Sequence, residues 1–189
     1  CRLIRHRGVD AQVMMRRYFG SFANYCNGCR GKGFLSVGMD FWGQDYDEWM
    51  RAGESFSLSG TPFDFVNYDC CYIYQFISAA HLCIDDFYKK YDDNYTVADR
   101  RARRALLYSI LHSTNTYGQY LYSARFGGLT GNMLTLLLNG IIGHLILISV
   151  YLILAKEHDP KKATLACFRA YVKATHEGDD CHMLTKPEV

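Results

Sequence analysis

Two adjacent aspartates could bind a divalent cation. Asp179 and Asp180 follow Gly178 between two short stretches of strand-like composition. Glycine tolerates the positive φ of a tight turn, so the sequence predicts a hairpin with both carboxylates at its tip. Adjacent carboxylates at a fixed tip repel each other unless a cation binds them, and their hard oxygen atoms suit Mg²⁺ or Mn²⁺. These residues therefore predict divalent-metal chemistry.

Two further pairs of adjacent aspartates occur, Asp85–Asp86 and Asp92–Asp93. Their neighbours are charged and include lysines, so both pairs are predicted to be solvated surface. A Gly-Asp-Asp tripeptide by itself is most often a plain turn. Its interpretation as a metal site therefore depends on what the preceding segments contribute.

Regular elements are predicted on both sides of the long apolar stretch. The run after Pro62 is predicted to be a strand that carries Asp64 and leads to Asp69. Apolar residues at three- and four-residue steps predict a helix over 70–91, and a capping box that begins at Thr96 predicts a second helix to about residue 113. Upstream, 26–33 is predicted to be a loop and 44–50 the acidic start of an amphipathic helix. A hairpin is predicted around residue 118, and four arginines of the second helix are predicted to be solvated or bound to acid (Arg100, Arg101, Arg103 and Arg104).

The stretch between Arg125 and Lys156 contains no Asp, Glu, Lys or Arg. It is long enough to cross a bilayer, so one hypothesis is a membrane protein with a helix at 130–155. Asn139, Gly140 and His144 interrupt the apolar run, however. They favour a buried core helix that follows a glycine-rich loop.

The composition bounds the class of protein. The 189 residues are enough for one domain with a substantial core, and the net charge of +2 gives no strong overall attraction to nucleic acid. Five arginines within the first seventeen residues form a local basic patch. The eight cysteines are irregularly spaced and are predicted to be reduced, and Cys26 and Cys29 lack the second pair that a zinc site needs. Because the chain begins without Met and ends soon after Asp180, it is expected to be a fragment.

Three ordered motifs resemble those of a known family: Asp64-x4-Asp69, Thr130-Gly131-x3-Thr135-x3-Asn139 and Gly178-Asp179-Asp180. Their order is similar to motifs A, B and C in the palm of viral RNA-dependent RNA polymerases of the picorna-like, positive-strand group, and Cys1-Arg2 resembles the end of motif F. The resemblance implies an α+β fold in which an antiparallel sheet, with the Asp64 strand beside the Gly178 hairpin, is backed by helices. It also implies partial fingers over 1–60, a palm over 61–189 and no thumb.

The resemblance implies a role for each matching residue. Asp64 and Asp179 would be the principal ligands of two Mg²⁺ or Mn²⁺ ions, with Asp180 as a secondary ligand. Asp69 and Asn139 would contact the ribose 2′-hydroxyl. The remaining implied nucleotide-binding residues are Arg2, at the triphosphate, and Thr130, Gly131 and Thr135, in the loop beneath template and nucleotide.

The resemblance further implies the partners of such an enzyme. These are an RNA template with its primer or nascent strand, nucleoside triphosphates and the remainder of the viral polymerase or polyprotein. The expected location is the host cytoplasm, at membrane-associated replication complexes. Without a thumb and the upper fingers, this piece is expected to be inactive alone, because nothing would hold a primer end in line for attack.

The sequence departs from the family pattern at three positions, and other classes of protein remain alternatives. Thr130 stands where Ser is usual, Glu177 where Tyr is usual and Gly140 where Ser is usual. A reverse-transcriptase-type palm is less favoured, because Asn139 and the Gly before Asp-Asp match RNA polymerases. A non-enzymatic RNA-binding module is a third alternative. The discriminating feature is the distance between Asp64 and Asp179, because the polymerase interpretation fails if these two residues lie far apart.

Overall fold

A computed structural model describes residues 8–29, 31–65, 68, 73–111, 113–117, 119–124 and 133–187. The chain forms two compact units, one of residues 1–25 with 66–135 and one of residues 26–65 with 136–189. The division into fingers and palm at residue 60 concerns functional subdomains and stays a prediction.

The first unit is mainly helical. It contains most of α1 (Val9–Gly28), together with α3 (Tyr74–Tyr91), α4 (Val97–Leu111) and the hairpin of β2 (Ser113–Tyr117) and β3 (Tyr120–Ala124). The two predicted helices and the predicted hairpin are confirmed within the described residues. Thr96 accepts a hydrogen bond from the Asp99 backbone N–H at 3.1 Å, which confirms the predicted cap of α4.

Residues 26–28 were predicted to be loop, and this prediction is wrong because α1 continues to Gly28. Cys26 is 6% exposed and extends the buried face that Met15, Phe19 and Phe22 begin at helical spacing. Burial of that face carries the helix into a stretch whose composition favours turns.

The prediction that Asp85 is solvated is also wrong. Its carboxylate is fully buried between α3 and α4 and lies 3.2 Å from Arg100 Nε and 3.4 Å from Arg103 Nη2. Lys89 Nζ is 3.5 Å away, and the Tyr95 hydroxyl donates to both carboxylate oxygens. Two of the α4 arginines are therefore bound to acid, as predicted. The side chain of Asp86, the neighbour of Asp85, is 74% exposed, as predicted from the sequence.

The second unit is built on a three-stranded antiparallel sheet in the order β1-β5-β4. The strands are β1 (Gly60–Phe63), β4 (Val172–Glu177) and β5 (Asp180–Thr185), and β4 and β5 form the predicted hairpin. β1 pairs with β5 from Gly60–Leu184 to Phe63–Cys181. The predicted neighbourhood of the Asp64 strand and the Gly178 hairpin is thus confirmed.

Helices cover both faces of this sheet. On one face, Met183 packs with Tyr151 of α5 (Thr135–His158) and Phe168 of α6 (Leu165–Tyr171). On the other face, α2 (Gln44–Glu54) brings the ring of Trp49 to 6.0 Å from that of His182. Because side chains alternate along a strand, odd positions of β5 face α5 and α6, and even positions face α2.

The apolar stretch forms α5, which begins at Thr135 among the described residues. Its first half is buried, including the run from Leu137 to Gly143, and its later half exposes Val150, Ile153 and Leu154. By length and composition it is the one described helix that could cross a membrane, with 39% of its most apolar window buried. The predicted buried core helix is therefore correct for the half that packs on the sheet.

Candidate active site

Strand pairing brings two of the predicted metal ligands to the same end of the sheet. Asp64 directly follows Phe63, whose partner in β5 is Cys181, and Asp180 directly precedes Cys181. Glu177 is the cross-strand partner of Asp180 in the hairpin. The register therefore places three acidic positions on neighbouring strand ends, in the order Asp64, Asp180, Glu177.

Gly178 closes the hairpin between β4 and β5. Its φ of +69° lies in the left-handed region that favours glycine, as the sequence predicted. A Cβ at this position would also lie 2.9 Å from Leu136 Cδ2. The turn that carries Asp179 therefore packs directly against the N-terminal part of α5.

A cavity of about 820 Å³ lies at this end of the sheet, and Asp64, Glu177 and Asp180 are among the residues that line it. An aromatic wall also lines it, made of Phe41, Trp42, Tyr46 and Trp49. Sequence reasoning missed this wall. The signal that could have found it is the spacing of Tyr46, Trp49 and Met50 on one face of α2, beside the exposed Trp42.

The acidic residues at this end of the sheet carry negative charge that no ion pair compensates within the described part of the chain. This holds for Asp64, Asp179 and Asp180. Burial, and secondarily the charge of Asp180, raise the pKa of the Glu177 carboxyl above its ordinary value. Glu177 therefore takes up a proton at a higher pH than an exposed glutamate. Such an arrangement favours binding of a cation at the strand ends.

A neutral layer lies directly beneath the acidic tip. His176 is fully buried, with its Nε2 3.8 Å from Cys181 Sγ and its ring 5.4 Å from that of His144. Burial lowers the pKa of His144 and of His176 to about 4 and raises the pKa of Cys181 to about 12. These three groups are therefore uncharged at neutral pH, and the turn is supported by packing rather than by ion pairs.

The donor set at the strand ends fits a hard divalent cation. Asp64 and Asp180 supply carboxylate oxygens at the edge of an open cavity. No cluster of three or more metal-binding side chains was found in the described ranges. Mg²⁺ commonly uses only one or two carboxylates and completes its shell with water and substrate phosphates, so these residues suit Mg²⁺ better than a closed protein cage would.

The other predicted nucleotide-binding residues fall into two groups. Thr135 is the first residue of α5, and Asn139 lies one turn later at 2% exposure. Both make interactions within the chain. The remaining four lie outside the described residues: Arg2, Asp69, Thr130 and Gly131.

Comparisons with known proteins agree with this geometry. All of residues 1–189 match the model of the family described as viral RNA-dependent RNA polymerase. The chain belongs to this family. The replicase polyprotein of Cricket paralysis virus is 27% identical over 177 residues, which are 89% of this chain and 10% of that protein. The Sicinivirus 3Dpol RNA-dependent RNA polymerase has a similar fold, with a TM-score of 0.69 and 19% identity over 97% of this chain and 36% of that one.

Membership in the viral RNA-dependent RNA polymerase family confirms the predicted family and the α+β, palm-like fold. The membrane-protein and reverse-transcriptase hypotheses are not favoured. Polymerases of this family generally use divalent metals, in keeping with the donor set at the strand ends. The chain spans about a tenth of the polyprotein relative and about a third of the polymerase of similar fold.

Proposed function

We propose that this chain is the catalytic part of an enzyme that synthesises RNA on an RNA template and replicates a viral genome. The observation that carries the proposal is the meeting of motif A and motif C at one sheet end, where Asp64 follows a strand paired to the one that Asp180 begins. Nucleotidyl transfer requires compensation of the charge on the attacking oxygen and on the triphosphate, and carboxylates on fixed strand ends position the cations that provide it.

Each residue has a distinct role in this proposal. Asp64 and Asp179 hold two Mg²⁺ or Mn²⁺ ions, and Asp180 assists them. When bound, the ions would stabilise the attacking 3′-oxygen and the leaving diphosphate. Asn139 and Asp69 contact the 2′-hydroxyl, which distinguishes ribonucleotides from deoxyribonucleotides. Three other residues shape the site, Thr130, Gly131 and Thr135, and Arg2 binds the triphosphate.

The partners follow from the family and from the polyprotein relative. They are template RNA, a primer or nascent strand, nucleoside triphosphates and the rest of the polymerase chain. We propose the host cytoplasm as the location, at membrane-associated replication complexes. The division of labour between partial fingers over 1–60 and a palm over 61–189 belongs to the same proposal.

Substitution of Asp179 tests the function directly. In the full-length polymerase, Asp179→Ala should abolish nucleotide incorporation and leave RNA binding nearly intact, because cationic groups hold most RNA phosphates. The matched control is Asp86→Ala, which removes an exposed aspartate of another adjacent pair and should change neither. Primer extension and filter binding measure the two properties. Wild-type turnover by Asp179→Ala would refute the assignment.

A further inference from the structure

Gly140 is a point of close approach between α5 and the edge of the sheet. A Cβ there would collide with Leu35 Cδ2 and would lie 3.3 Å from His176 Cβ. Leu35 is 8% exposed, so its side chain has little room to turn away. The helix approaches this closely only because residue 140 has no side chain.

The backbone on the other side of this contact is fixed. The His176 N–H donates to the Phe34 carbonyl at 2.8 Å, and the Ser36 N–H donates to the His176 carbonyl at 2.9 Å. Leu35 therefore forms a parallel bridge with His176 at the outer edge of β4. Because this edge cannot retreat without breaking backbone hydrogen bonds, added volume at residue 140 must be taken up by the buried Leu35 side chain or by displacement of α5.

The same face of α5 also sets the position of the turn that carries Asp179. Leu136 lies four residues before Gly140, on the same side of the helix, and its Cδ2 is the atom that approaches Gly178. Two glycines, one on the helix and one in the turn, thus define the separation of α5 and the hairpin. Asn139 is adjacent to Gly140 and 2% exposed, so its position depends on the position of this helix.

We propose that Gly140 is a positioning residue for sugar selection, whose missing side chain lets α5 place Asn139 at the correct distance from the Asp179 turn. The inference rests on the proposed polymerase function. Glycine inside a helix is less favourable than alanine. Helix formation therefore does not explain glycine at this position, and close approach to Leu35 and His176 does.

The test is a mutant cycle in the full-length polymerase. Gly140→Ala should lower the preference for ribonucleotides over deoxyribonucleotides about threefold to tenfold, because one hydrogen bond to the 2′-hydroxyl is misaligned rather than lost. Leu35→Val removes the colliding Cδ atoms, so Gly140→Ala with Leu35→Val should recover most of the wild-type preference. Gly20→Ala is the matched control, because a Cβ at that position in α1 meets nothing within 4 Å.

The sugar preference separates positioning from a general loss of packing, which would lower incorporation of both sugars equally. An unchanged preference in Gly140→Ala would overturn the proposal, as would a reduced preference that Leu35→Val leaves uncorrected. If Gly140→Ala alone does not fold, recovery of folding and preference in the double variant supports the proposal, and failure of both refutes it. Loss of incorporation by the wild-type enzyme would instead refute the polymerase function, so the two failures are distinguishable.

Discussion

Two pairs of adjacent aspartates have opposite surroundings in this protein. Asp85 is fully buried and is bound by Lys89, Arg100 and Arg103. Asp180 is exposed at an open cavity, and within the described ranges it has no cationic partner. A buried carboxylate costs several kcal/mol unless cations and hydrogen bonds compensate it. A carboxylate whose charge is compensated by neighbouring cationic side chains is structural. A carboxylate without such neighbours can bind a cation from solution.

The largest effect should come from the uncompensated side of this comparison. Asp64→Asn keeps the size of the side chain and removes its charge, so nucleotide incorporation by the full-length enzyme should fall by at least about a thousandfold. The melting temperature should stay within a few degrees, because no ion pair in the described structure depends on Asp64. Primer extension and thermal unfolding measure the two quantities. If Asp64→Asn lowered stability as much as a core substitution does, Asp64 would be a structural residue like Asp85.

Removal of the compensated carboxylate should have the opposite signature. Asp85→Ala leaves Arg103, 2% exposed, without its acid, and should lower the free energy of unfolding by about 3–5 kcal/mol. Denaturant titration measures this loss. The control is Asp86→Ala, one residue away and 74% exposed, which should change stability by no more than about 0.5 kcal/mol.

Replacement of both partners sharpens the same comparison. Asp85→Leu with Arg103→Met removes the buried charges together, and such exchanges are often neutral when the volume is kept. The double variant should therefore be more stable than Asp85→Ala. If it is equally unstable, the network contributes through more than the Asp85–Arg103 pair.

His176 offers a third kind of buried polar group, one that stays neutral. Burial lowers its pKa to about 4, below the ordinary 6.5. Between pH 6.5 and 4 the folded state therefore binds fewer protons at His176 than the unfolded state does. The contribution of neutral His176 to the free energy of unfolding is complete above about pH 6.5 and is lost as the pH falls to about 4. The difference for this one residue is roughly 3 kcal/mol. His176→Gln should flatten the dependence of unfolding free energy on pH between pH 7 and 4, and an unchanged slope would contradict the assignment.

Much of the fold was predictable because local patterns and tertiary structure agree. The Gly178 turn, the cap at Thr96 and the strand before Asp64 each have a local physical cause that the sequence displays. The order of the proposed site residues along the chain followed from the motifs. The register of β1 with β5 places Asp64 and Asp180 at the same end of the sheet.

The errors arose where distant contacts decide. The burial of Asp85 depends on Arg100 and Arg103 of another helix, which the lysines beside it in the sequence do not reveal. The aromatic wall depends on α2 crossing the face of β5, where Trp49 meets His182. The burial of Asp85 has no signature within one local stretch. The spacing of the α2 aromatic residues shows that they share a helix face but does not show that this face meets β5, so neither contact could be predicted from periodicity alone.

A smaller effect is expected at Asn139, which is buried like Asp85 but is uncharged and belongs to the proposed site. Asn139→Ala should reduce the preference of the full-length enzyme for ribonucleotides at least about tenfold, because a polar group that loses its hydroxyl partner costs about 1–3 kcal/mol. Asn139→Asp keeps an acceptor and removes the donors, so an intermediate value would show that the amide donates to the sugar. Competition between ribo- and deoxyribonucleotides in primer extension gives the ratio, and thermal unfolding controls for lost packing. An unchanged ratio with lowered stability would assign Asn139 to the interior of α5, where it would be a structural residue like Asp85 rather than part of the site.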